Sequence, residues 1–159
     1  MMADLDTQQT EILGRAVLVA DLMGDGLEVA QPDREAGVDL VAFTFSPWKA
    51  MPIQMKVATA EAFSVDRKYE RFDRLVIAYV WHAGRGYAAE IFAMPWPTAK
   101  GIAAKLGWTK TKSWQKPRLG YATTRPSKDV KELMGPHRMG PGGWRHLLDS
   151  IGGAADAAQ

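Results

Sequence analysis

Two apolar runs, GVDLVAF at 37–43 and MPIQMKVA at 51–58, flank the stretch TFSPWKA and constrain this chain more than any other feature. Short runs rich in Val, Phe, Ile and Met, bounded by Gly and Pro, read as adjacent strands joined by a turn. Strand side chains alternate faces. Gln54 and Lys56 therefore project from one face of the second run, and Ile53, Met55 and Val57 from the other. The first run carries Asp39. A carboxylate among apolar neighbours is costly unless a cation answers it. Lys56 offers that cation from the next strand, and the pair leaves room for a metal ion between them.

At 159 residues the chain reads as one domain, residues 1–151, with a core at 8–94, a basic extension at 98–151 and a frayed tail at 152–159. The absence of cysteine excludes disulfides, thiolate metal sites and cysteine nucleophiles. Three scattered histidines, His82, His137 and His146, argue against a histidine-rich metal site. No apolar run reaches the roughly 18 residues that span a bilayer, and the start MMADLDTQQ lacks a cationic leader head. A cytoplasmic location without membrane attachment is the default expectation.

Charge is distributed unevenly. Residues 1–97 hold 9 Lys/Arg against 14 Asp/Glu, a net −5, whereas residues 98–147 hold 11 against 2, a net +9. A basic segment on an acidic half suggests an anionic partner, nucleic acid foremost. The competing reading is a solvated, lysine-rich surface.

In chain order, residues 7–23 predict a helix capped by Thr7 or Thr10, with Glu11 in its first turn and Gly24-Asp25-Gly26 as the stop. A short strand follows at 27–32, then the two runs described above. Residues 59–73 read as polar with a short helix around 66–72. RLVIAYVWHA (74–83) and YAAEIFAMPW (87–96) predict a strand hairpin through Gly84-Arg85-Gly86. Helices are expected at 97–108, stopped by Gly107, at 127–134, capped by Ser127, and at 144–151. Residues 109–124 have loop character with room for a short strand. Successive apolar strands with little alternation imply a sheet covered on both faces. The expected fold class is α/β, a three-layer α/β/α sandwich around a central mixed sheet, with added C-terminal helices.

The order of these elements, with Glu11 on the first helix, Asp39 in GVDLVAF and Gln54 and Lys56 in IQMK, resembles the PD-(D/E)XK nuclease superfamily over residues 8–94. The resemblance implies a restriction-endonuclease-like fold and divalent-metal-dependent hydrolysis of DNA phosphodiesters. It also implies that Asp39, Gln54 and Glu11 hold Mg²⁺ or Mn²⁺, joined by the Met55 carbonyl, while Lys56 positions the attacking water. Gln54 stands where the family pattern has an acid, which lowers the negative charge offered to a metal. Cutting both strands of duplex DNA with one site per chain implies a homodimer.

Lys49, Arg67, Lys68 and Arg71 are candidates for phosphate contacts near the scissile bond. Lys110, Lys112, Lys116 and Arg118, interleaved with Trp114, suit a nucleic-acid groove where a ring stacks on bases. Trp108 reads as core, and His82 and His146 as structural. Three alternatives stand beside the nuclease reading. Asp39 and Lys56 form only a buried salt bridge; the domain is catalytically silent and binds nucleic acid or a protein; or it is an unrelated mixed α/β domain. The last gains if the helix bearing Glu11 packs on the sheet face away from Lys56.

Overall fold

A computed structural model describes residues 4–85, 88–116 and 120–156. Helix α1 spans Thr7–Gly24. Its cap is Asp6 rather than either threonine. The Asp6 carboxylate accepts the Gln9 N–H at 2.8 Å, and the Gln9 side chain accepts the Asp6 N–H at 3.0 Å, a reciprocal capping box. The Thr10 hydroxyl donates back to the Asp6 carbonyl at 2.8 Å. With the helix starting at Thr7, Glu11 falls outside the first turn, and no acid occupies that turn. The dipole role expected of Glu11 is thereby lost.

Strands β1 (Glu28–Ala30), β2 (Leu40–Phe45) and β3 (Trp48–Val57) form an antiparallel meander. The stretch 44–50, read as a loop, is mostly ladder, with Phe45 opposite Trp48 and only Ser46 and Pro47 left to turn. Aromatic contacts along β2 and across to β3 hold it. The Phe43 ring centroid lies 5.3 Å from that of Phe45 and 5.3 Å from that of Trp48.

The chain then crosses over to β5 (Val76–Trp81), which runs parallel to β3, and returns antiparallel as β6 (Glu90–Pro95). The sheet order is β1-β2-β3-β5-β6. The crossover contains β4 (Phe63–Asp66), which the sequence reading missed, followed by a 3-10 turn at Arg67–Arg71. Four residues are too short to declare a period. β4 is specified by its pairing with β7 (Gly120–Thr123), with which it forms a separate two-stranded ribbon.

Every residue of β5 is buried. Val76, Ala78 and Val80 enter one core cluster with Leu18 and Leu22 of α1 and with Trp144 and Leu148. Ile77, Tyr79 and Trp81 enter a second, with Ala99, Ile102, Trp114, Val130 and Met134. Residues of the second cluster come from α2 (Trp96–Lys105), α3 (Lys112–Gln115) and α4 (Lys128–Met134). The result is a mixed α/β fold whose five-stranded mixed sheet has helices on both faces, as its near-continuous apolar strands require.

Gly107, at φ 78°, follows α2 as expected, and Ser127 caps α4 by accepting the Val130 N–H. Helix α5 (Gly143–Asp156) extends beyond the expected end at Ile151; residues 157–159 lie outside the described residues. Its start is clamped to the end of α1. Asp25 accepts the N–H groups of Gly142 and Trp144, both at 2.9 Å, and Asp21 accepts the buried Trp144 indole N–H at 2.6 Å.

Helix α1 meets β3 closely at Gly14, where an added Cβ would collide with both methyls of Val57. In open helix, alanine would stabilise by about 1 kcal/mol over glycine. Here overpacking costs about 1–3 kcal/mol, and χ1 of Val57 is stiff. Gly14→Ala is therefore expected to lower the denaturation midpoint. Gly14→Ala combined with Val57→Ala should be more stable than the two single changes sum to, as read by urea unfolding.

Candidate active site

Strand β3 sorts its side chains as the alternation predicted. Ile53 and Met55 enter the core cluster beneath α1, and Val57 packs against it. Gln54 and Lys56 face the opposite side. Leu40 is opposite Ile53, and the Asp39 N–H donates to the Ile53 carbonyl at 2.8 Å. The antiparallel ladder thus continues one residue before β2, and Asp39 arrives beside Gln54. Asp39, Gln54 and Lys56 line one cavity of about 640 Å³ with Thr10, Glu11 and Ser64.

Asp39 is only 9% exposed. Its Oδ2 accepts the Met55 N–H at 2.7 Å. Burial raises its pKa above the usual carboxylate value; the Met55 hydrogen bond opposes this, Glu35 and Glu11 add to it, and Arg15 counters them. Lys56 is shifted the other way. Burial lowers its pKa, against the pull of Asp66 and Asp39. Among the described residues no ion pair joins Lys56 to Asp39; the ammonium instead donates to the Tyr69 hydroxyl at 2.9 Å and sits 5.1 Å from that ring's centroid. The buried salt bridge considered as an alternative is not formed.

Gln54 donates from Nε2 to the Met55 carbonyl at 3.1 Å, leaving its amide oxygen as the uncommitted acceptor. That carbonyl, expected as a further metal ligand, accepts this bond. The body of α1 packs by Leu18 and Leu22 on the face away from Lys56, the arrangement that favours an unrelated domain. Its N-terminal end nonetheless reaches the cavity through Thr7, Thr10 and Glu11. Glu11 is engaged there: Arg15 lies 3.2 Å from it and 3.4 Å from Glu35. The Arg15 Nε is buried without a partner among the described residues. Also among these residues, no three His, Cys, Asp or Glu side chains are arranged as a metal site.

Sequence reasoning missed Tyr69, Arg15 and Glu35. The spacing of Glu11 and Arg15, four apart on a helix, was a readable signal. Nothing in the sequence marked Tyr69, which comes to Lys56 through the crossover.

The expected phosphate contacts scatter. Lys49 pairs with Asp149 at 3.0 Å, at the hairpin end of β3 remote from Lys56. Arg67 donates to the Trp114 carbonyl at 3.1 Å, and Arg71 to the Ala36 carbonyl at 3.0 Å. Lys68 sits 3.7 Å from Asp66 and over the Tyr69 ring. Trp114 is buried in the second core cluster and offers no ring for stacking on bases, which corrects that expectation. Its burial follows from α3, which folds it under the β4–β7 ribbon. Lys110, Lys112 and Lys116 are exposed and do not line the cavity, and Arg118 lies outside the described residues. Trp108, expected in the core, is half-buried and packs against the edge of the second cluster, on Phe63 at 5.5 Å and Tyr121 at 4.3 Å between centroids.

Comparison with family models, with curated proteins and with solved structures yields no match to this chain.

Both shifted groups weigh on stability. In metal-free protein, Asp39 keeps its proton in the native state above 3.8, where the unfolded chain has lost it. Its contribution is thus present at low pH and lost as pH rises through the native pKa. Lys56 contributes fully above 10.5, and that contribution is lost as pH falls through its depressed native value. Asp39→Asn and Lys56→Met are each expected to stabilise the neutral-pH protein in EDTA by about 0.5–2 kcal/mol. Asp39→Asn should also steepen the acid limb of melting temperature against pH, because it removes a contribution that is present at low pH, as measured by circular dichroism.

Proposed function

We propose that the chain is a restriction-endonuclease-like domain that hydrolyses DNA phosphodiesters at the Asp39–Gln54–Lys56 cavity. The observation that carries the reading is the convergence of those three side chains from neighbouring strands into one open cavity, on one face of the sheet. The strand order supports it, with an antiparallel meander followed by a parallel return. The crossover departs from the family pattern in holding β4 and a 3-10 turn instead of a full helix.

The donors suit a hard divalent cation. Asp39 supplies one carboxylate and Gln54 an amide oxygen, and Mg²⁺ commonly takes few protein ligands and keeps its waters. Glu11 joins them if it leaves Arg15. When bound, the ion supplies charge stabilisation at the phosphoryl oxygens. The chain's own groups do the rest. Lys56, held from behind by the Tyr69 hydroxyl, presents its remaining N–H groups to the cavity, where they orient a water or a phosphoryl oxygen. The Met55 N–H fixes one oxygen of the Asp39 carboxylate, and Asp39 lines the same cavity.

The neutral Gln54 and the Glu11–Arg15 pair favour a second reading, a catalytically silent domain that binds nucleic acid or a protein through this fold. Nicking of supercoiled plasmid in Mg²⁺ or Mn²⁺ separates the two. The nuclease reading expects Lys56→Ala to reduce nicking by about 10²–10⁴-fold with an unchanged circular dichroism spectrum. Nicking by that variant at the wild-type rate would remove the role given to Lys56, and no nicking by wild-type protein leaves the silent reading. Gln54→Glu replaces a dipole with a charge and is expected to tighten Mn²⁺ binding in calorimetry; unchanged affinity would remove Gln54 from the ligand set.

A further inference from the structure

The cavity holding Lys56 does not end at Thr59. A second concavity of about 610 Å³ adjoins it, and the two share Thr59, Ala60, Glu61 and Thr124 as lining. The second is distinguished by its cations, Arg85 and Arg125. Arg85 donates from Nε to the Thr59 carbonyl at 3.1 Å, which anchors its guanidinium to the shared wall. Arg125 follows Thr124 directly, its backbone N–H held by the Thr123 hydroxyl at 3.2 Å.

The nearby acids, Glu61 and Glu90, are engaged by other cations, with Glu61 itself on the wall of the concavity and both acids also facing His82 there. Glu61 lies 2.6 Å from the Lys131 ammonium, and Glu90 lies 3.0 Å from Arg138. Among the described residues neither Arg85 nor Arg125 has a carboxylate within ion-pair distance. Two exposed arginines thus line a concavity that adjoins the candidate active site. A guanidinium presents a planar fork of donors that matches phosphate oxygens.

We propose that this second concavity is a phosphate subsite, seating the backbone phosphate of a nucleic-acid strand next to the one that lies against Lys56. The proposal rests on the phosphodiester reading of the first cavity and adds the direction of the strand: from Lys56, past Thr59 and Thr124, to Arg85 and Arg125. A small diester with a single phosphate occupies the first cavity alone and does not feel the arginines.

The test uses the full chain and the double variant Arg85→Ala/Arg125→Ala. Anisotropy of a short fluorescein-labelled oligothymidylate is measured in EDTA across a range of NaCl concentrations. Hydrolysis of bis(p-nitrophenyl) phosphate is followed in Mn²⁺. Affinity for the oligonucleotide is expected to fall about tenfold, with the slope of log K against log[salt] smaller by about 0.7, the value for one single-strand phosphate contact. Hydrolysis of the small diester should be unchanged, and Arg85→Lys/Arg125→Lys should restore most of the salt slope. Arg125→Ala alone, at an exposed side chain, carries the test if the double variant does not fold. Unchanged affinity and slope in a folded variant overturn the subsite. Equal weakening toward polyglutamate overturns its assignment to nucleic acid. If wild-type protein hydrolyses nothing yet binds the oligonucleotide through these arginines, the subsite stands and the nuclease reading falls.

Discussion

One buried hydrogen bond organises the candidate site: the Met55 N–H donating to the Asp39 carboxylate at 2.7 Å. It joins the start of β2 to the middle of β3 where the ladder runs out, and it puts a carboxylate where a backbone carbonyl would otherwise sit. A buried N–H needs an acceptor, and Asp39 supplies it while its other oxygen remains available. Carboxylate, ladder and cavity are therefore one construction. Loss of the acceptor would expose a strand donor as well as remove a charge.

Around that bond the chain places groups that burial pushes toward neutrality. The Asp39 acid and the Lys56 amine are both shifted against their charged forms, and they are not close enough to relieve one another by direct pairing. Lys56 leans on Tyr69, while the charge near Asp39 is balanced by Arg15, itself shared between Glu11 and Glu35. A core selected for stability alone would have little use for this arrangement, and perturbed titratable groups cluster at functional sites. The cost is tolerable because Trp144, Leu148 and the β5 side chains make the layers on either side densely apolar.

Much of this was legible in the residues. Period-two alternation placed Gln54 and Lys56 together, and the apolar run at 74–83 announced a strand of a sheet covered on both faces. Ser127 and Gly107 marked helix ends by side chain and by backbone freedom. Other features were set by partners remote in sequence. β4 takes its identity from β7, Trp114 is drawn inward by the ribbon they form, and Tyr69 meets Lys56 only because the crossover folds back across β5. The N-cap was misread because Asp6 competes for the role with Thr7 and Thr10, and its reciprocal bonding with Gln9 decides it. Of the described basic residues at 98–147, Arg125 lines the second concavity, where it is joined by Arg85 from outside that segment.

The β4–β7 ribbon has a temporal meaning. Ser64 and Thr124 both line the cavity, and β4 has no strand partner until β7 exists. The clamp between α1 and α5 waits for Trp144. A nascent chain emerging from the ribosome therefore carries Asp39 and Lys56 long before it possesses the walls around them. Whatever chemistry the cavity performs waits until the residues of β7 and Thr124 have joined it.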